Sequence, residues 1–221
     1  MQKFDTPAAV RTVLNIPAGR IQFIAADRAD TTVEVRPADP ARSRDVKAAE
    51  QTEVAYADGV LRIQAPEAAN RLLGSTGAVE VTVQLPAGSA VRATASAAEF
   101  RGVGRLGEVA FDGGHGSVKL DEATSARLTG LDADIWVGRL TGDGEIRTLR
   151  GTVHIAEAVR GALALSTEQG DITVTAARGV SATLDAGTAY GLIDNTLHNT
   201  GAPALTIKAT VAQGDITARS L

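Results

Sequence analysis

The stretch Gln169-Gly170-Asp171-Ile172-Thr173 decides the fold, because it returns as Gln213-Gly214-Asp215-Ile216-Thr217. Weaker copies precede it: Gly116-Ser117-Val118-Lys119-Leu120, Ala133-Asp134-Ile135-Trp136-Val137 and Gly151-Thr152-Val153-His154-Ile155. Ala98-Glu99-Phe100 and Tyr190-Gly191-Leu192 are degenerate members. Aligned on the apolar residue, the series runs Phe100, Val118, Ile135, Val153, Ile172, Leu192, Ile216, in steps of 18, 17, 18, 19, 20 and 24 residues. Between these lies a second apolar set: Val109/Phe111, Leu128, Ile146, Leu163/Leu165, Ala182/Leu184 and Leu205/Ile207.

Each half-unit alternates, with Ile172 and Val174 facing in and Thr173 facing out, so one strand face is apolar and the other polar. A glycine before the strand permits a tight corner, and the acid or hydroxyl after it bonds backbone there. One unit cannot bury its apolar face alone; stacked units bury a continuous column of Val, Ile and Leu. The fold expected is therefore all-β: a single-stack parallel β-solenoid with two-strand repeats of about 18–20 residues. An antiparallel sandwich of the same strands is the alternative, since hairpins also alternate. The last copy, Asp215-Ile216-Thr217, stands four residues from Leu221, so the final coil is expected to be an open edge.

Toward the N-terminus the repeat fades. Residues 1–90 are expected to form an irregular β portion capping one end, and residues 91–221 the repeats, as one continuous domain. Thr12–Ile16, Ile21–Ala25 and Thr32–Arg36 read as meander strands broken at Pro17-Ala18-Gly19 and Asp27–Asp30. Asp39-Pro40 supplies an N-cap and a first-turn proline for a short helix over Ala41–Gln51. Asp58-Gly59 marks a hairpin between Glu53–Tyr56 and Val60–Gln64. Ala65–Gly77 reads as loop and Val79–Leu85 as strand.

Composition narrows the function classes. Aromatics are 3% of the chain, so small aliphatic side chains must fill the core, which suits thin stacked layers. A formal net charge of −4 gives no electrostatic case for nucleic acid. There is no cysteine, hence no disulfide and no thiolate metal site. The start, Met1-Gln2-Lys3-Phe4-Asp5-Thr6-Pro7, has no apolar signal-peptide core, and no window approaches a membrane span, so a cytoplasmic location without membrane insertion is expected.

The Gly-Asp-Ile/Val repeats, the segment Val79–Gly88 and the opening Val13-Leu14-Asn15-Ile16-Pro17-Ala18-Gly19-Arg20-Ile21-Gln22-Phe23 resemble the bacterial putative-adhesin, or toastrack, family of β-strand-repeat domains. The resemblance spans nearly the whole chain and is nearest to cytoplasmic actinobacterial members. It implies a solenoid-like fold and no defined catalytic motif. Membrane-anchored relatives are linked to cell-envelope stress signalling, but this sequence lacks their membrane segments.

Candidate functional residues are few. Asp134, Asp171 and Asp215 lie in equivalent positions, and a carboxylate ladder is one way to hold Ca²⁺. The nonapeptide spacing of such ladders is missing, so corner hydrogen bonding is the expected role. The same acids give a glycoside hydrolase its carboxylate pair on paper. The repeats, however, offer few aromatic platforms beyond Trp136 and Tyr190, and few long loops to wall a cleft. His115, His154 and His198 form no metal-binding spacing, and His154 is expected to be a solvated strand residue. Gly102-Val103-Gly104 and Gly142-Asp143-Gly144 precede strands, so they lack the helix N-terminus a phosphate loop needs. Trp136 points outward between Ile135 and Val137 and is the candidate contact anchor; packing beneath a neighbouring loop or an arginine stem is its alternative role.

The expectation is a non-catalytic scaffold without cofactor or metal. Its candidate surface is Trp136, Asp134, Asp171 and Asp215, for a protein partner or for self-association through solenoid edges. The alternatives are an exported adhesin or envelope-stress component, and a carbohydrate-active β-helix enzyme.

Overall fold

The computed structural model describes residues 1–66 and 77–221; most of the expected loop at Ala65–Gly77 lies outside them. The chain winds as a parallel β-solenoid, each coil contributing one rung to each of two facing sheets. The first sheet stacks Val60–Gln64 on residues 11–15, these on 90–94, and later residues 126–132, Gly144–Arg150, Gly161–Gln169, Leu205–Gln213 and Ala182–Tyr190. The second stacks Val79–Pro86, residues 19–26 and 98–103, then 135–140, Val153–Ala158, Ile172–Ala176, Ile216–Ser220 and Ile193–Thr196. Parallel pairing along both sheets excludes the antiparallel sandwich. No helix among the described residues is long and apolar enough to cross a membrane.

The inward positions build the core. Ile21, Phe100, Val118, Ile135, Val153, Ile172 and Ile216 are all buried, and Phe100 meets Phe23 and Phe111 at ring separations of 5.7 and 4.9 Å. Thr12 interrupts the first sheet's column between Leu61 and Val91, and its buried hydroxyl has no hydrogen-bond partner. A partnerless buried hydroxyl carries its full desolvation cost. Thr12→Val is therefore expected to stabilise the protein by about 1 kcal/mol, seen as a higher urea midpoint at unchanged m-value.

Several local expectations are corrected. Thr12–Ile16 and Ile21–Ala25 are not meander neighbours: Arg11–Ala26 is one continuous strand that turns at Pro17-Ala18-Gly19 from the first sheet into the second. Proline lacks an N–H to give a ladder, and the corner is where none is required. The helix spans Ser43–Gln51 and starts later than Asp39-Pro40 suggested. Asp39 instead accepts from the Ala41 and Arg42 amides, closing a turn ahead of it. The Asp58-Gly59 hairpin is present, with both residues at positive φ of 52° and 75°.

The main correction concerns stacking order. The C-terminal coil, Leu205–Ser220, is not the open edge. It lies between the coil 161–176 and the coil 182–196, paired in parallel to both. The chain passes one level at Ala177–Ser181, makes the outer coil, and returns to fill the gap. Ile193, not Leu192, is the residue in register with Ile216.

The N-terminal end uses the same device. The chain's first coil, 11–26, lies inside the one made by Val60–Gln64 and Val79–Pro86, and Ala87–Ser89 crosses it to reach Ala90. A buried serine seats the inner coil at each crossing. Ser89 Oγ accepts from Val10 N at 3.0 Å, and Ser181 Oγ accepts from Thr200 N at 3.0 Å. The ends then differ. The N-terminal end is closed by the antiparallel strands Gln2–Asp5, Asp30–Pro37 and Glu53–Ala57, with the helix against Asp30–Pro37. The outer coil 182–196 has no further strand upon it among the described residues.

Candidate functional site

Outward residues one place after each apolar landmark form a row across the second sheet. Register aligns Trp136 with His154, His154 with Thr173, and Thr173 with Thr217. Coil spacing of about 4.8 Å lets planar side chains in such a row stack. Trp136 and His154 do so at 8° between planes and 6.3 Å between centroids. Lys119 lies over the indole, its Nζ 5.1 Å from the ring centroid. Trp136 does point outward as expected, yet it is only half-exposed, between Lys119 and His154.

His154 is correspondingly not a freely solvated strand residue. Burial, and then the charge of Arg219, hold its pKa below the ordinary value of 6.5. The neutral imidazole is thus the form the fold prefers. The unfolded chain therefore takes up the proton first, and stability falls as pH drops below 6.5. Trp136 is the single tryptophan, and an imidazolium stacked on indole quenches its emission. Fluorescence is expected to fall on acidification with a midpoint below 6.5, and His154→Gln to abolish that transition.

The three aspartates are spent on corners. Asp134 Oδ1 accepts from Thr152 N and Thr152 Oγ1 at 2.8 and 3.0 Å. Asp171 Oδ1 accepts from Asp215 N, and Asp215 Oδ1 from Leu192 N, each at 2.8 Å. Every carboxylate ties its corner to that of the next coil in the stack. No group of three His, Cys, Asp or Glu residues that can hold a metal occurs among the described residues. Asp215→Ala is expected to lower unfolding free energy by about 1 kcal/mol, the worth of one such bond, measured by urea denaturation.

Trp136 and the three aspartates therefore occupy different parts of the coil, strand face against corner, and do not form one cluster. Sequence reasoning missed Lys119 and His154 as neighbours of Trp136. The signal was available, because all three follow a landmark directly: Val118, Ile135 and Val153. A separate shallow groove of about 690 Å³ crosses the first sheet near Arg147, Leu149, Ser166, Glu168, Thr210 and Ala212. Its floor of small side chains follows from Ser166 and Gly187 both aligning with Thr210.

No protein-family model matches the chain. No curated protein matches it either. Among solved structures it is similar to a putative adhesin from Bacteroides fragilis, at 12% identity and a TM-score of 0.58, over 98% of this chain and 95% of that one. That likeness shows a shared fold. Weaker superpositions are with a putative cell adhesion protein from Clostridium sporogenes (12% identity, 100% and 98% coverage, TM-score 0.42) and a putative adhesin from Parabacteroides distasonis (15%, 98% and 95%, 0.41).

Proposed function

We propose that the protein is a non-catalytic scaffold that holds a protein partner against the outer face of its second sheet. The observation carrying this reading is the Lys119–Trp136–His154 row. It sets one cation and two aromatic rings in line on a rigid sheet. Aromatic side chains with fixed rotamers lose little entropy on binding, so such rows make good contact anchors. The corner aspartates support the reading from the other side, since their oxygens already hold backbone N–H groups. The fold shared with a Bacteroides fragilis putative adhesin fits a binding module.

The test is a pull-down of tagged protein from its native cells, with Lys119→Ala/Trp136→Ala and, on the opposite sheet, Arg127→Ala. A stoichiometric partner lost only with the first variant is the expected result. A partner retained by it sinks the proposal. We propose a cytoplasmic location for this activity, with an exported adhesin as the second reading, and fractionation of native cells decides between them.

A further inference from the structure

We infer that two copies join end to end through the uncovered outer coil, 182–196, about a twofold axis along the sheet normal. This interface is separate from the proposed partner face and stands or falls without it.

The outer coil is unfinished as a piece of solenoid. Ala182–Tyr190 pairs only with Leu205–Gln213, and Ile193–Thr196 only with Ile216–Ser220; on the far side Ala182 N reaches the His198 carbonyl and Leu197 N the Asn195 side chain, and no strand covers either rung among the described residues. Ile193 belongs to a column otherwise fully buried, yet it is 45% exposed; Tyr190 and Leu192, at the adjoining corner, are each 75% exposed. Whatever covers this end must offer two strand edges at once, one on either side of a core about 10 Å thick. An added single strand satisfies one sheet and leaves the other open. A second copy carries both edges at the required separation.

The symmetry is self-consistent. Rotation about the sheet normal reverses strand direction and stacking direction together, so each rung meets its own copy antiparallel. The corner at Gly191 couples the two registers: Gly187 and Asn195 each stand four residues from it, so centring one sheet on Gly187 centres the other on Asn195. Pairing centred on these two residues sets Tyr190 over Leu184 of the partner subunit and Ile193 over Leu197 of the partner subunit. Leu184 and Leu197 are both half-buried residues packed on the core. The two carboxylates on the rungs avoid each other: Asp185 meets Ala189 of the partner subunit, and Asp194 meets Thr196 of the partner subunit. Residues 182–196 carry these two acids and no cation, so the ends still repel at a distance, and added salt is expected to strengthen the dimer. One coil end is a small contact, so a weak, concentration-dependent dimer is expected.

The absence of cysteine makes the register directly testable. In an antiparallel pair, residue 187 faces itself at about 4.5–5.5 Å between Cα atoms, within disulfide reach. Gly187→Cys is therefore expected to form a covalent dimer under mild oxidation, while Ala189→Cys, which faces residue 185, stays mostly monomeric. Sedimentation of the unmodified protein is expected to show a concentration-dependent dimer that Ile193→Lys abolishes, while its urea midpoint, read below dimer formation, falls by no more than that of Ile193→Ala. Equal cross-linking of both cysteine variants, or a monomer at all concentrations with no Gly187→Cys dimer, overturns the proposal.

Discussion

Gly214→Ala is expected to lower unfolding free energy by about 3–4 kcal/mol, and Gly170→Ala by a similar amount. Gly214 adopts φ 141°, and a Cβ placed there would lie 2.2 Å from the carbonyl oxygen of Gly170 in the neighbouring coil. Gly170 stands in the same relation to Gly151, with φ 133° and a 2.3 Å approach. Each of these oxygens sits at a corner whose flanking rungs are fixed by parallel ladders, so the corner must open and the adjoining rungs shift. Gly187→Ala is the control: nothing lies within 4 Å of the place its methyl group would take, and its cost is expected to be near zero. Urea denaturation at low protein concentration, below dimer formation, measures all three. A cost below about 1 kcal/mol at Gly214 would show that the corners are softer than the stack geometry implies.

Ile216→Ala is expected to cost about 3 kcal/mol, and Ile193→Ala less than about 1 kcal/mol. The two are neighbours in one column, but Ile216 is 1% exposed between two coils whereas Ile193 has a coil on one side only. Stacking in simple sequence order would place Ile216 at the edge and reverse the ranking. Comparable losses at the two sites would contradict the interleaved order.

How much of this could be read from the sequence differs by level. The landmarks Val118, Ile135, Val153, Ile172 and Ile216 are buried, and the last four pair in parallel ladders, because a side chain's inward or outward direction is written in the alternation itself. Stacking order at the ends was not legible. An inward isoleucine and a corner glycine look alike whichever coil lies next to them. The only trace is the 24-residue step before Ile216, whose extra length is the loop returning from the outer coil. Leu192 reads as a landmark for the same reason: the corner there allows a one-residue choice, and only pairing with Ile216 selects Ile193. At the site, the outward direction of Trp136 was readable. Its enclosure by Lys119 and His154 needed knowledge of which coils touch.

The two crossings also decide how the protein bears tension. A thread wound in order on a spool unwinds from its free end, one turn at a time. Here the coils 11–26 and 205–220, through which the chain enters and leaves the stack, are trapped beneath outer turns. Once the short strand Gln2–Asp5 gives way, a pull on the N-terminus reaches residues 11–26, gripped by ladders on both sides. A pull on the C-terminus reaches Ile216–Ser220, gripped likewise. Neither end can be stripped rung by rung, so extension must shear two ladders together, and a chain tethered by its termini should resist load as a clasp does.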